Sequence, residues 1–135
     1  MEKNNSVHII IGIIISGFIG AYIAINADNN TKKAQNINLH KALLSEMQYD
    51  LEQAYAAEQN RIAARYERKE WDGFIISNTY NSMPADLIKQ LDSVYASIDA
   101  QNRGKGPQNI TQSKLIENAL NEYKKYLVAK KTIDN

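Results

Sequence analysis

An uncharged, apolar stretch near the N-terminus constrains the fold of this chain more than any other feature. Between Lys3 and Asp28 no side chain carries a fixed charge, and the 19 residues 7–25 form an almost unbroken apolar run. As a helix, this run would measure roughly 28 Å at ~1.5 Å per residue, which is close to the hydrocarbon thickness of a bilayer. It predicts a transmembrane helix at residues 7–27, preceded by a polar lead at residues 1–6.

Two other interpretations of the run fit the residues less well. A cleaved signal peptide needs a shorter apolar region and small residues before the cleavage site, whereas cleavage after Ala27 would place Ile25 at the third position back. A buried helix of a soluble domain normally keeps a polar face, and this run has none. A retained membrane anchor is therefore the preferred interpretation, with a signal peptide and a core helix as the alternatives.

Small residues recur at every fourth position within the run. They are Gly12, Ser16, Gly20 and Ala24. Residues with this spacing share one face of a helix, and small side chains there allow a second helix to approach closely. The pattern predicts a helix–helix interface inside the membrane, formed either with a second copy of the chain or with a different protein.

The charges beside the run favour a cytoplasmic location for the larger, C-terminal part. Lys3 precedes the run, whereas Lys32, Lys33 and Lys41 follow it, and basic residues concentrate on the cytoplasmic side of membrane spans. Three Asn-X-Ser/Thr triplets, at residues 4–6, 29–31 and 109–111, indicate the opposite side, because such triplets are glycosylation acceptors of secreted proteins. We expect a single-pass membrane protein with a cytoplasmic C-terminal domain.

Residues 28–135 are expected to form an all-α soluble domain, a long amphipathic helix followed by a small antiparallel helical bundle. Apolar periodicity and turn residues predict helices at about 30–69, 71–79, 83–101 and 112–130. The apolar stripe of the first helix consists of Ile37, His40, Leu44, Met47, Leu51, Tyr55, Glu58, Ile62 and Tyr66. Because this helix exceeds its partners by several turns, we expect part of the stripe to lack cover within the chain. The predicted partner interface comprises Ile37, Leu44, Met47 and Leu51.

Two polar residues interrupt the stripe. For His40 we expect a partly exposed ring, with a ligand or a pH switch as the alternatives. For Glu58 we expect a carboxylate that reaches solvent or pairs with Arg61 one turn on. The alternatives are an acid with a raised pKa or a contact to a partner.

A basic face adjoins the stripe on the same predicted helix. It consists of Arg61, Arg65, Arg68 and Lys69. A solvated face is the simplest interpretation of such a cluster. The alternative is a surface that binds an acidic partner.

Three segments carry a resemblance to known proteins: "ALLSEM" at 42–47, "EWDGFIIS" at 70–77 and "MPADLIKQLDSVYASIDAQN" at 83–102. Their order and spacing resemble a diffuse group of small prokaryotic single-pass membrane proteins of uncharacterised function with a C-terminal helical bundle. The likeness covers about residues 32–102. It departs at Tyr49 and Asp50, where that group would have an asparagine, and again after Asn102. The resemblance implies a cytoplasmic helical bundle and no activity.

Composition and the distribution of reactive residues argue against several functions. A net charge of +1 is too small for a nucleic-acid binder. The sequence has no cysteine and only two histidines, His8 and His40, and no acids clustered on one face. We therefore expect no enzyme activity, no cofactor, no bound metal and no small-molecule substrate.

The remaining features predict a non-catalytic, single-pass, membrane-anchored helical protein. Its expected role is that of an accessory or structural subunit, or a scaffold, of a larger membrane complex. The expected partners are the lipid bilayer and either other membrane subunits or a second copy. The alternative is a membrane-tethered regulatory or sensor module that binds an acidic partner through Arg61, Arg65 and Arg68.

Overall fold

The computed structural model describes residues 3–104 and 111–131, and it describes the side chains of Ala24 and of all residues in those ranges from Asn26 onward. The chain divides into two compact units, Met1–Gln35 and Asn36–Asn135. Every regular element in the described ranges is helical. The elements are α1 (Lys3–Asn60), α2 (Lys69–Ile76), a short 3-10 turn (Thr79–Ser82), α3 (Ala85–Asn102) and α4 (Gln112–Ala129). The predicted all-α class and the helical bundle are confirmed.

The predicted transmembrane helix at residues 7–27 falls within α1. The side chains of Gly12, Ser16 and Gly20 lie outside the described set, and Ala24 is exposed. Among the residues that the structure describes, no helix is both long enough and apolar enough to cross a bilayer. The membrane span and its small-residue interface therefore stay predictions.

Helix α1 ends at Asn60, well before the predicted end near Lys69. Arg61 adopts a left-handed conformation with φ of 54°, and the Ile62 amide donates to the Ala57 carbonyl at 3.1 Å. A hydrogen bond that spans six residues, from 57 to 62, and encloses a left-handed residue is the Schellman motif, which ends many helices. The sequence shows no glycine or proline there, so the end could not be recognised from local residue types.

After α1 the chain reverses and runs back along the same helix. Successive contacts step toward the start of the second unit: Ile62 with Ala57, Glu67 with Asp50, Trp71 with Glu46, and Phe74 with His40. Residues 62–68, which contain no regular structure, form the link that makes this return possible. The link places α2 antiparallel to α1.

The buried core lies between the second-unit part of α1 and the helices that follow. The Trp71 ring stacks on Tyr95 of α3 with a centroid distance of 4.8 Å and an interplanar angle of 1°. Helix α4 follows α3 as its antiparallel neighbour, since the Ser97 hydroxyl near the end of α3 donates to Gln112 at the start of α4. The helix-borne apolar core comprises Leu43, Met47, Ala54, Trp71, Phe74, Leu87, Leu91, Val94, Tyr95, Ile98, Ile116, Ala119, Leu120, Tyr123 and Leu127.

The buried stripe of α1 is displaced from the predicted one. It consists of His40, Leu43, Met47, Asp50, Ala54 and Ala57. Met47, a predicted partner-interface residue, is 1% exposed and lies in the core. Leu44 and Leu51 are partly buried against the core, and Ile37 is half-buried. The expectation that this stripe lacks cover is wrong for Met47, because the return of the chain after Asn60 brings α2 onto this part of α1.

Candidate functional site

The most developed polar site in the bundle is centred on Glu46 of α1. Its Oε2 accepts a hydrogen bond from the Glu70 amide at 2.6 Å, and its Oε1 accepts one from the Trp71 amide at 3.1 Å. The Tyr95 hydroxyl also donates to Oε1, at 2.9 Å. Glu70 and Trp71 lie in the first turn of α2, where amides have no partner within the helix. Glu46 therefore caps α2, and its negative charge lies at the positive end of that helix.

Asp50, one turn further along α1, holds the link that precedes α2. Its side chain is 0% exposed, and its Oδ1 accepts from the Glu67 amide at 2.7 Å. The Oδ2 atom is buried and has no hydrogen-bond partner among the described residues. The pKa of Asp50 is raised to about 7, mainly because the carboxyl group is buried; the bond from the Glu67 amide opposes this rise, and the carboxylates of Glu46 and Glu67 contribute to it. This carboxyl group titrates near neutral pH.

Asn102, the last residue of α3, holds the same link from the other side. Its Oδ1 accepts from the Tyr66 amide and its Nδ2 donates to the Tyr66 carbonyl, both at 3.0 Å. A side-chain amide that pairs with both backbone groups of one residue copies the pairing of neighbouring strands. Asp50 and Asn102 together supply hydrogen-bond partners for the backbone of Tyr66 and Glu67, two adjacent link residues that lie outside any helix.

Glu58 caps a second helix in the same manner. Its carboxylate accepts from the Ser113 amide at 3.1 Å and from the Ser113 hydroxyl at 2.7 Å. Thr111, the residue before α4, makes no capping hydrogen bond with its own side chain. The predicted pairing of Glu58 with Arg61 is not formed, because Arg61 lies beyond the end of α1.

His40 is a buried residue rather than the expected partly exposed one. It is 4% exposed, its Nδ1 is hydrogen-bonded to the Tyr123 hydroxyl at 2.7 Å, and its ring meets Phe74 edge-on with centroids 5.0 Å apart. Burial lowers the pKa of His40 to about 4 and raises the pKa of Tyr123 well above its usual value. Both groups are therefore neutral at physiological pH, and the pair joins α1 to α4.

The predicted basic face of Arg61, Arg65, Arg68 and Lys69 does not exist as one helical face. Arg61 follows the end of α1, Arg65 and Arg68 belong to the irregular link, and Lys69 begins α2. Arg68 pairs with Asp72 at 2.7 Å and with Asp99 at 3.1 Å. The expectation fails because the helix that would have aligned these side chains ends at Asn60.

The surface around the link is mixed in charge. A groove of about 670 Å³ is bordered by Arg65, Arg68 and Lys69, but also by Glu67 and Asp72. Three basic and two acidic side chains leave the groove with a formal charge of only +1, which gives little attraction for an acidic partner.

The polar side chains described above each position a structural element. Glu46 and Glu58 cap helices, Asp50 and Asn102 hold the link, and His40 pairs with a tyrosine hydroxyl. Within the described ranges, no three histidine or acidic side chains are arranged to hold a metal ion. Within the described residues, these contacts hold helix ends and the link in place.

Sequence reasoning missed Glu46, Asp50 and Asn102. One signal was available for the first two: they lie four residues apart on the α1 face that also carries Leu43, Met47 and Ala54. An acid inside an apolar stripe needs buried donors, and the unpaired amides at the start of another helix supply them.

Comparison with protein-family models, with curated proteins and with solved structures finds no match to this chain.

Proposed function

We propose that this chain is a non-catalytic, single-pass membrane protein that serves as an accessory or structural subunit, or a scaffold, of a larger membrane assembly. The observation that carries the proposal is the run at residues 7–25, which has the length of a membrane span and no fixed charge between Lys3 and Asp28. Supporting it, the polar side chains buried in the bundle hold helix ends and the link in place, which is the behaviour of a stable structural module.

The proposed assembly contact lies in the membrane segment. The bundle covers Met47, so we place the assembly contact on the small-residue stripe of Gly12, Ser16, Gly20 and Ala24. Close helix approach along small residues is a common mode of association in lipid, where apolar burial alone gives no driving force between helices.

The membrane proposal is tested with the full chain in its host membrane. We expect the protein to stay with the membrane pellet after alkaline carbonate washing and to require detergent for release. Recovery of the intact chain in the aqueous supernatant would refute the anchor.

The assembly proposal is tested by native mass in mild detergents. We expect a particle well above the 15.3 kDa of one chain after the detergent is accounted for. Gly12→Leu together with Gly20→Leu should reduce this mass, because the larger side chains hold helices apart. Ile14→Leu, which alters the same helix without enlarging the small-residue face, is the matched control. A monomer in every detergent and at every concentration would refute the proposed assembly.

The proposed orientation places the bundle in the cytoplasm, supported by the lysines after the run. Because the sequence contains no cysteine, a single Asn121→Cys at an exposed position of α4 provides a unique label site. A membrane-impermeant maleimide should label it only after the cells are permeabilised. Labelling in intact cells would reverse the orientation.

The alternative of a regulatory module that binds an acidic partner has less support. It depended on a helical arginine face, whereas Arg68 is paired with two aspartates and the surrounding groove carries both signs of charge.

A further inference from the structure

One end of the bundle combines exposed isoleucines with lysines. At the end of α2, Ile76 is 82% exposed and Ile75 is 38% exposed. At the end of α4, Lys130 and Lys131 are exposed. Single exposed apolar residues are common on soluble proteins, whereas here two exposed isoleucines are consecutive at the end of one helix and two exposed lysines are consecutive at the end of another. We call these four residues the Ile–Lys surface.

The ends of α2 and α4 lie on the same side of the bundle. The His40 ring is 5.0 Å from that of Phe74 in α2 and 6.1 Å from that of Tyr126 in α4, measured between centroids. The Tyr126 hydroxyl donates to the Ser82 carbonyl at 3.4 Å, and the Lys130 ammonium lies 6.0 Å from the Tyr126 ring centroid. Because Phe74 immediately precedes Ile75 in the sequence, these contacts place the ends of α2 and α4 at the same level of the bundle, near His40.

The charge at this end of α4 is strongly positive. Between residues 122 and 131 the sequence has four lysines, Lys124, Lys125, Lys130 and Lys131, and one acid, Glu122, which pairs with Lys125 at 2.6 Å. Surfaces that bind anionic lipid typically combine lysines with exposed aliphatic and aromatic side chains. The apolar side chains enter the headgroup region, and the lysine ammonium groups bind the lipid phosphates. A second copy with the same lysines would instead be repelled across a symmetric contact.

The length of chain before the bundle limits how far Asn36 can lie from the proposed membrane. Ten residues, 26–35, separate the apolar run from Asn36, where the second unit begins. Even fully extended, ten residues span at most about 35 Å. His40, whose ring contacts Phe74 of α2 and Tyr126 of α4, lies only four residues after Asn36.

We propose that the ends of α2 and α4 form a lipid-contact surface, in which Ile75 and Ile76 enter the headgroup region of an anionic bilayer and Lys130 and Lys131 bind its phosphates. This inference rests on the proposed membrane anchor. The membrane helix would be the first contact between the chain and the bilayer, and this surface would be the second. The two contacts together would hold the bundle against the membrane.

The test uses the full-length chain with one introduced cysteine, labelled with an environment-sensitive fluorophore and reconstituted into vesicles. Ile76→Cys places the probe on the Ile–Lys surface. Ile62→Cys is the matched control, since Ile62 is also exposed, at 61%, but lies beside Ala57 at the other end of the described bundle. The vesicles contain either phosphatidylcholine alone or phosphatidylcholine with phosphatidylglycerol, and lipids brominated near the headgroup serve as quenchers.

We expect a blue-shifted, lipid-quenched signal at position 76 in phosphatidylglycerol vesicles and a water-like signal at position 62. Lys130→Gln and Lys131→Gln should each lower the equilibrium constant between the lipid-contacting and free states about fivefold, since one basic residue at an anionic surface contributes about 1 kcal/mol. Lys114→Gln, at the opposite end of α4, should leave it unchanged.

The outcomes separate this inference from the proposed anchor. A chain that carbonate strips from the vesicles contradicts the anchor. A chain that stays in the vesicles but gives the same water-like signal at positions 76 and 62 contradicts the lipid-contact surface alone. Protection at position 76 that rises with the protein-to-lipid ratio and ignores phosphatidylglycerol would overturn the proposal in favour of a contact between copies.

Discussion

Replacing Glu46, a buried residue of α1, with alanine should strongly destabilise the bundle. The carboxylate accepts three hydrogen bonds, from the Glu70 and Trp71 amides and from the Tyr95 hydroxyl. Tyr95 and Trp71 are buried, whereas the Glu70 amide is partly accessible and can recruit water. Removal of the carboxylate therefore leaves two buried donors without an acceptor.

The loss of stability can be estimated from the two buried donors that lose their acceptor. A buried donor left unpaired costs about 1–3 kcal/mol, and the lost interaction with the start of α2 adds about 0.3–1 kcal/mol. Relief from burying a charge offsets part of this cost. We expect Glu46→Ala to lower the free energy of unfolding by about 3–5 kcal/mol, a large share of the stability of a small domain. Glu46→Gln should cost less, because its amide oxygen can still accept from Trp71 and Tyr95.

The assay is urea unfolding of the full chain in mild detergent, followed by the fluorescence of Trp71, the one tryptophan in the sequence. Glu52→Ala is the matched control, because Glu52 lies exposed on the same helix and should change stability by no more than about 0.5 kcal/mol. Hydrogen exchange at the Glu70 and Trp71 amides should accelerate only in the Glu46 variants. If Glu46→Ala came within about 1 kcal/mol of Glu52→Ala, the capping argument would be wrong.

Three further predictions test other parts of the fold. Burial raises the pKa of Asp50 to about 7, so this residue contributes stability at low pH that is lost as the pH rises toward 7. Burial lowers the pKa of His40 to about 4, so this residue contributes stability at neutral pH that is lost as the pH falls toward 4. These effects oppose each other in wild type; Asp50→Asn should expose the loss on acidification, and unfolding profiles of equal slope for both proteins would contradict this assignment. Met47→Ala should cost about 2–4 kcal/mol without changing the native mass in detergent, and a change in mass at unchanged stability would restore Met47 as a partner contact. Arg61→Gly should raise the free energy of unfolding by about 0.5–1 kcal/mol, since glycine adopts the left-handed conformation without strain, and a loss of stability would show that the Arg61 side chain is needed.

The link between α1 and α2 determines which face of α1 is buried. Its length lets α2 return to the level of His40 and Glu46, and the hydrogen bonds from Glu67 to Asp50 and from Tyr66 to Asn102 hold it there. Without this return, α1 would present an apolar stripe to solvent or to a partner, as the sequence led us to expect.

The sequence by itself determined the all-α class and the positions of the later helices. Helix α3 was predicted at 83–101 and is Ala85–Asn102, and helix α4 was predicted at 112–130 and is Gln112–Ala129. Both carry a regular apolar stripe and are bounded by residues with strong local preferences, so neighbouring residues alone determine where they lie.

Only the tertiary structure decided where α1 ends, which of its faces is buried and what its acidic residues do. The hydropathy pattern favoured Leu44, Leu51 and Tyr55, whereas the packed face uses Asp50, Ala54 and Ala57. Small side chains let neighbouring segments approach closely, and Asp50 is accepted there because an amide from the link reaches it. Glu46 and Glu58 cap helices that begin 23 and 54 residues later in the chain. Such partners are brought together by the fold, and no local pattern around either residue encodes them.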